Sequence, residues 1–253
     1  MKINIFVPFL IALTLCACGG GGGSSSPSGG SPINANTPPV GFYVGTSSDG
    51  NDATVLSLSD GTYWIMESPA TGINLDYLLT GTAQYDNGSY NSKLTTDYQL
   101  PTTAVTAGSV TSGTMFGNFS GPQFTDQIII NSNIINITAS YDQSISGSAD
   151  VNQLDGTYGC QATMTDPGTQ GNPDTFLIQP GGVLTGQYTY GGSTNNYSGS
   201  ITARTDVDAY NITLIYGGNV YQGIVYLDTV NKLVRIIAIN QSQKIAYSCT
   251  ANT

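Results

Sequence analysis

Glu67 is the only glutamate in a 253-residue chain that contains no histidine. Glu67 with Asp76 is the pair whose chemistry would suit a glycosidase acid and base, but nothing in their spacing fixes the separation such catalysis needs. Asp49-Gly50-Asn51-Asp52 has the carboxylate density of a calcium loop, yet it lacks the loop length and the terminal Glu of an EF-hand. Asp beside Gly or Asn is also what a backbone turn selects. Ser92-Lys93 would put a nucleophile and its base on opposite faces of a strand. Lacking imidazole, the chain can build neither a Ser-His-Asp triad nor a His-ligated metal site. No catalytic set, no metal site and no cofactor is expected, and the chain is read as a non-enzyme.

Other residues suggest binding rather than turnover. Tyr is abundant, 16 against 7 Phe and 1 Trp. Tyr offers large contact area at low entropic cost, and it also suits a half-buried pleated surface. Tyr63-Trp64 beside the Asp60-Gly61 turn places one aromatic outward, and Tyr188, Tyr190 and Tyr197 flank a Gly/Ser/Thr/Asn loop. Trp64 and these three tyrosines are the expected contact residues for a partner. Lys232, Arg235 and Lys244 form a candidate basic patch. The overall balance, 6 Lys+Arg against 16 Asp+Glu for a net charge of -10, argues against nucleic acid as partner.

The elements that must position these residues read as strands. From Gly41 onward the pattern is alternation broken by turn dipeptides, with no convincing helical period. Asp60-Gly61, Asn87-Gly88, Gly181-Gly182 and Gly217-Gly218 each separate two apolar runs, the signature of hairpins. In Tyr210-Asn211-Ile212-Thr213-Leu214-Ile215-Tyr216 the positions Tyr210, Ile212, Leu214 and Tyr216 share one face, and one-sided burial implies an antiparallel sheet. Gly41-Phe42-Tyr43 is echoed by Gly156-Thr157-Tyr158, and Leu79-Thr80-Gly81 by Leu184-Thr185-Gly186, a weak internal repeat.

The second half divides into strands near 156–165, 175–179, 183–190, 197–204, 208–216, 219–227, 233–240 and 244–250, and the first half into a similar number. The expected fold is all-β, with two consecutive antiparallel barrels or barrel-like domains of about eight strands each. Their expected spans are 41–147 and 156–253, joined by a linker at 148–155. Cys160 falls in the first strand of the second half and Cys249 in its last. Those strands are neighbours in a closed antiparallel barrel, so a disulfide is expected.

Ahead of the folded body lies an address. Residues 3–15 are apolar but too short for the roughly 20 residues a bilayer core requires, and they match a signal-peptide core. They end in Leu15-Cys16-Ala17-Cys18, which resembles the lipobox of bacterial lipoproteins: aliphatic, tolerated, small, then cysteine. The departure is Cys16, at a position where Ser, Thr or Ala is more usual. The resemblance implies a signal peptide over 1–17, cleavage after Ala17, thioether lipidation of Cys18 and acylation of the new amino terminus with palmitate-type chains. Gly19 in place of Asp implies, within that family, an outer-membrane destination. Residues 18–40 are Gly-, Ser- and Pro-rich and read as a flexible lipidated tether reaching about 26 Å as a random coil.

The expected protein is therefore a non-enzymatic, lipid-anchored binding module of the outer membrane that holds a protein or glycan partner. In general plan it resembles the barrel-bearing surface lipoproteins that bind host proteins, without their specific motifs. Two alternatives share the anchor: a periplasmic inhibitor or immunity lipoprotein, and a small-molecule carrier with a lipocalin-like calyx.

Overall fold

Tight hairpin turns set the topology, and they are written in residues that tolerate left-handed backbone. Asn87 and Gly88 adopt φ of 47° and 87°, and Gly217 and Gly218 adopt 56° and 79°, matching the right-handed twist of the strands they join. In the computed structural model, the described residues are 39–252 apart from 71, 73, 102–107, 146, 166–171, 191–192 and 229–232. The expected lipobox with Cys18, the expected tether up to residue 38 and Lys232 lie outside the described residues. Among those described, no helix is long and apolar enough to cross a membrane.

The first half contains β1 (Gly41–Ser47), β2 (Asn51–Ser57), β3 (Thr62–Pro69), β4 (Tyr77–Thr82), β5 (Gln84–Asp86), β6 (Ser89–Gln99), β7 (Ser109–Ser120), β8 (Gln123–Ile130) and β9 (Asn133–Tyr141). Their sheet order is β4-β3-β2-β1-β9-β8-β7-β6-β5, and a further β4–β6 pairing closes the ring, leaving β5 as a short arm on β6. The second half contains β10 (Gly156–Met164), β11 (Asn172–Gln179), β12 (Val183–Tyr190), β13 (Ser193–Ala203), β14 (Tyr210–Tyr216), β15 (Asn219–Asp228), β16 (Leu233–Asn240) and β17 (Ile245–Asn252). These eight strands close in sequence order, with β10 paired to β17. The fold is all-β: two consecutive antiparallel barrels of eight strands each.

Alternation fills both interiors. Tyr43, Tyr90, Phe119 and Phe124 pack inside the first barrel, with the Phe119 and Phe124 ring centroids 4.7 Å apart. Phe176, Ile201, Tyr210, Ile212 and Leu214 pack inside the second. The segment expected as a linker is anchored as well. Residues Val151–Leu154 form a 3-10 turn whose Leu154 is fully buried in the second barrel's core. The Tyr210 hydroxyl donates to the Asp150 carbonyl at 2.9 Å, and the Tyr158 hydroxyl to the Leu154 carbonyl at 3.1 Å.

A third apolar cluster belongs to both barrels at once. Phe42, Leu56, Trp64, Met66, Leu78 and Tyr98 from the outer face of the first pack with Ile224, Tyr226, Ile237, Ile239 and Ala246 from the outer face of the second. Phe42 and Tyr226 bring their rings to 5.0 Å. This explains β16, Leu233-Val234-Arg235-Ile236-Ile237-Ala238-Ile239-Asn240, in which every residue is buried. One of its faces lines a barrel and the other meets the neighbouring barrel. Each such fully buried aliphatic side chain contributes about 1.5–3 kcal/mol, so the barrels are welded rather than strung together.

Candidate binding cleft

Above the weld the two barrels diverge, leaving an open cleft of about 1290 Å³. Its floor is the edge of the shared cluster, with Leu58, Trp64, Tyr98, Ile224 and Ile239, all buried. One wall comes from β3, β4, β6 and β7, and carries Thr62, Thr80, Thr82, Asn91, Thr96 and Ser112; the other comes from β14, β15 and the β16–β17 turn, and carries Asn211, Thr213, Asn219, Gln222, Gln241 and Ser242. The outward faces of polar strands thus give a lining of hydroxyls and amides over an apolar base.

Local irregularities bring charge and apolar surface to the rim. The β6–β7 register shifts between Ser92 and Thr95, a bulge that re-aims the side chains it carries. Lys93 is exposed and Leu94 is 76% exposed there. Val220 on the other wall is 50% exposed. Lys244, held at φ 57° in the β16–β17 turn, also lines the cleft and is exposed. Neither Lys93 nor Lys244 forms an ion pair among the described residues, whose salt bridges join Arg204 to Asp206 and Arg235 to Asp228.

Arg204 is committed elsewhere: its guanidinium contacts Asp206 at 2.8 and 2.9 Å and Asn211 at 2.8 Å. Asp206 also accepts from the Ser59 hydroxyl at 2.6 Å and amide at 3.1 Å, tying the first barrel to the second. Partial burial alone would raise the Asp206 carboxyl, but Arg204 and Ser59 hold it well below the usual carboxylate range.

The second barrel keeps its interior carboxylate Asp174 fully occupied. Asp174 accepts from the Tyr197 hydroxyl at 2.7 Å and the Tyr247 hydroxyl at 2.6 Å. Burial raises its pKa, and the two tyrosines draw it back. Gly186 opposite Tyr197 makes room for that ring, since a Cβ there would collide with it. Beside Asp174 the Cys160–Cys249 disulfide links β10 to β17, with Cα atoms 5.9 Å apart. The two sulfurs and the carboxylate lie within 4.8 Å of one another, but the sulfurs are bonded to each other and do not offer thiolates to a metal.

The first barrel's interior acids are less well served. Glu67, Asp97 and Asp126 are 1%, 7% and 5% exposed. Neither oxygen of Glu67 or Asp126, nor Oδ1 of Asp97, has a hydrogen-bond partner, while Asp97 Oδ2 accepts from Thr111 at 3.1 Å. Burial raises the pKa of Glu67 and pushes Asp97 up to about 6 and Asp126 up to about 7. The carboxylates that act on Glu67 are Asp49 and Asp97, not Asp76, the acid considered as its glycosidase-type partner.

Several expected contact residues are placed differently. Trp64 does reach the cleft, but as a floor residue only 6% exposed. Tyr188 and Tyr197 are 4% and 6% exposed and face the interior of the second barrel, where Tyr188 meets Tyr216 edge-on at 6.0 Å. They therefore do not form an outer contact surface, because their strand positions share parity with the core residues Leu184 and Ile201. Tyr190 ends β12 opposite Ser193, and its side chain lies outside the described residues. The basic patch does not assemble either: Arg235 is buried, 3.7 Å from Asp228 and 3.5 Å from Thr250, while Lys244 turns to the cleft. Sequence reading missed the cleft's Lys93–Leu94 rim, whose signal is the break in alternation between Ser92 and Thr95.

No family model matches the chain. No curated protein matches it. Among solved structures, one similar chain is a protein of unknown function from the DUF3598 family of Nostoc punctiforme. It is 12% identical, with 84% of this chain and 95% of that one covered at a TM-score of 0.31.

Proposed function

We propose that the protein is a non-enzymatic binding module, held by lipid on Cys18 to the outer membrane of a bacterial envelope, that grips a glycan or protein partner in the inter-barrel cleft. The observation that carries this reading is the cleft itself. It is about 1290 Å³, larger than the 300–1,000 Å³ or so of a small-molecule pocket. It offers hydroxyls and amides above an aromatic and aliphatic floor, and two lysines without ion-pair partners among the described residues, against the single lining acid Asp60, in a molecule of net charge -10. That combination favours a hydroxyl-rich partner carrying negative charge, such as an acidic glycan. The calyx alternative needs hollow space, but in the second barrel the cavity between Met164, Tyr188, Leu214 and Tyr247 is only about 10 Å³, and Tyr43, Tyr90, Phe119 and Phe124 pack inside the first.

The test uses the full chain in detergent micelles against a panel of acidic and neutral polysaccharides. Acidic members are expected to bind, weakening as salt rises, and the K93E/K244E double variant is expected to lose at least about tenfold in affinity. Equal affinity of wild type and variant for every polysaccharide would overturn the cleft as the site. In cells, Cys18→Ala is expected to release the protein from the membrane fraction, and its retention there would remove the anchor.

A further inference from the structure

We propose that the end of the N-terminal barrel bearing Ser47, Asn51, Glu67 and Asp97 binds one hard divalent cation, Ca²⁺, through oxygen ligands alone. The site is distinct from the cleft and does not depend on the binding-module reading. Glu67 and Asp97 both face the interior, on either side of β4: Glu67 pairs with Tyr77 of β4, and Asp97 with Leu79. The two acids are thus offset by one inward position across a single strand. Ser47 closes β1 and Asn51 opens β2 on the same end, and both lie near enough to Glu67 to draw its pKa down, although neither meets hydrogen-bond geometry with its carboxylate.

The donor atoms are unclaimed. Both Glu67 oxygens, Asp97 Oδ1 and the Ser47 hydroxyl lack hydrogen-bond partners, and all three residues are at least nine-tenths buried, at 1%, 7% and 7% exposure. The Ser47 hydroxyl is the independent sign, because a neutral donor left empty beside an empty carboxylate leaves a gap in coordination rather than simple charge repulsion. Buried polar groups in folded proteins are nearly always satisfied, and an unfilled set calls for an ion or water. Neither acid is paired with Lys or Arg among the described residues.

The donor chemistry selects the ion. Zn²⁺ prefers Cys and His, and there is no histidine in the chain. Mg²⁺ demands near-ideal octahedral geometry and keeps its waters, whereas Ca²⁺ accepts irregular sets of carboxylate, hydroxyl and amide oxygens, including a bidentate carboxylate. A Ca²⁺ ion would let Glu67 and Asp97 both ionise at neutral pH.

The experiment melts the full chain in detergent micelles at pH 7.5, first in chelator and then with about 1 mM Ca²⁺. Wild type is expected to gain about 5 °C or more at a hundredfold excess over Kd, and to sensitise Tb³⁺ luminescence through Tyr77 that Ca²⁺ displaces. Glu67→Gln is expected to abolish both responses while melting in chelator at or above wild type, because a neutral amide tolerates the burial. Ser47→Ala is expected to keep the fold and weaken Ca²⁺ roughly tenfold, and Asp86→Asn, at the opposite end of the barrel, to leave the response intact. A wild-type melting temperature indifferent to Ca²⁺ with dark Tb³⁺, or an undiminished response in Glu67→Gln, would overturn the site. A response to Mg²⁺ equal to that for Ca²⁺ would overturn the choice of ion.

Discussion

Asp126 on the inward face of β8 shows what an enclosed, unpartnered acid does to a barrel. Burial pushes its pKa up to about 7, and the nearby backbone N–H groups of Gln127 and Phe116, short of hydrogen-bond geometry, only partly draw it back. Its titratable neighbours are Tyr63 and Tyr90, whose own pKa values are raised mainly by burial. The unfolded chain releases this proton near pH 3.9, so between about pH 4 and pH 7 unfolding sheds a proton that folding retains. Stability therefore falls as pH rises through that window, by at most about 4 kcal/mol for this group. Asp97, raised to about 6, acts with the same sign over a lower range. Asp126→Asn is expected to shrink the decline and to stabilise the protein at pH 8 by about 2–4 kcal/mol, read from urea unfolding at pH 5 and pH 8 in chelator. A variant that keeps the wild-type pH slope would show that Asp126 is already ionised when folded.

At the scale of the element, the disulfide staples the first and last strands of the second barrel across 89 residues of sequence. Replacing both Cys160 and Cys249 by Ala is expected to cost about 4 kcal/mol, because the open denatured chain regains loop entropy. Denaturant unfolding of the variant beside wild type measures it, and an unchanged midpoint would mean that barrel closure already fixes those strands. The strands themselves were legible. Asn87-Gly88 and Gly217-Gly218 announced their hairpins, and 233–240 matched β16 residue for residue. Asn131-Ser132 did not announce its own, because Ser132 takes a φ of 69° that its residue type seldom adopts. The repeat also misled in part. Gly41 and Gly156 do open the first strand of each barrel, but Gly81 sits in β4, the fourth strand of its barrel, and Gly186 in β12, the third strand of its own.

At the scale of the whole molecule, the weld decides how the chain unfolds. Trp64, Met66, Tyr226 and Ile237 belong to one cluster drawn from both barrels, so neither barrel can lose its outer face without exposing the other's. Full-length protein is expected to melt in a single calorimetric transition, with Trp64 fluorescence and far-UV dichroism changing together. Ile237→Asp is expected to lower that one transition by more than about 3 kcal/mol in stability. Two resolved transitions would mean that the barrels stand independently. The weld left a trace in the sequence: Tyr63-Trp64-Ile65-Met66 and, Arg235 apart, 233–239 are apolar on both parities, the mark of a strand covered on both faces. The cleft above it left almost none, because its walls are ordinary polar outward positions that only three-dimensional closure brings face to face.

A groove whose two jaws share a common core has no hinge. Its width is set when the chain folds, so it works as a gauge rather than a clamp. Under the proposed binding role, partners would be admitted by cross-section, and a branched or bulky one would be turned away at the rim. Because little would have to be ordered on arrival, such capture would proceed at the pace of collision and alignment, and residence time would separate a good fit from a poor one.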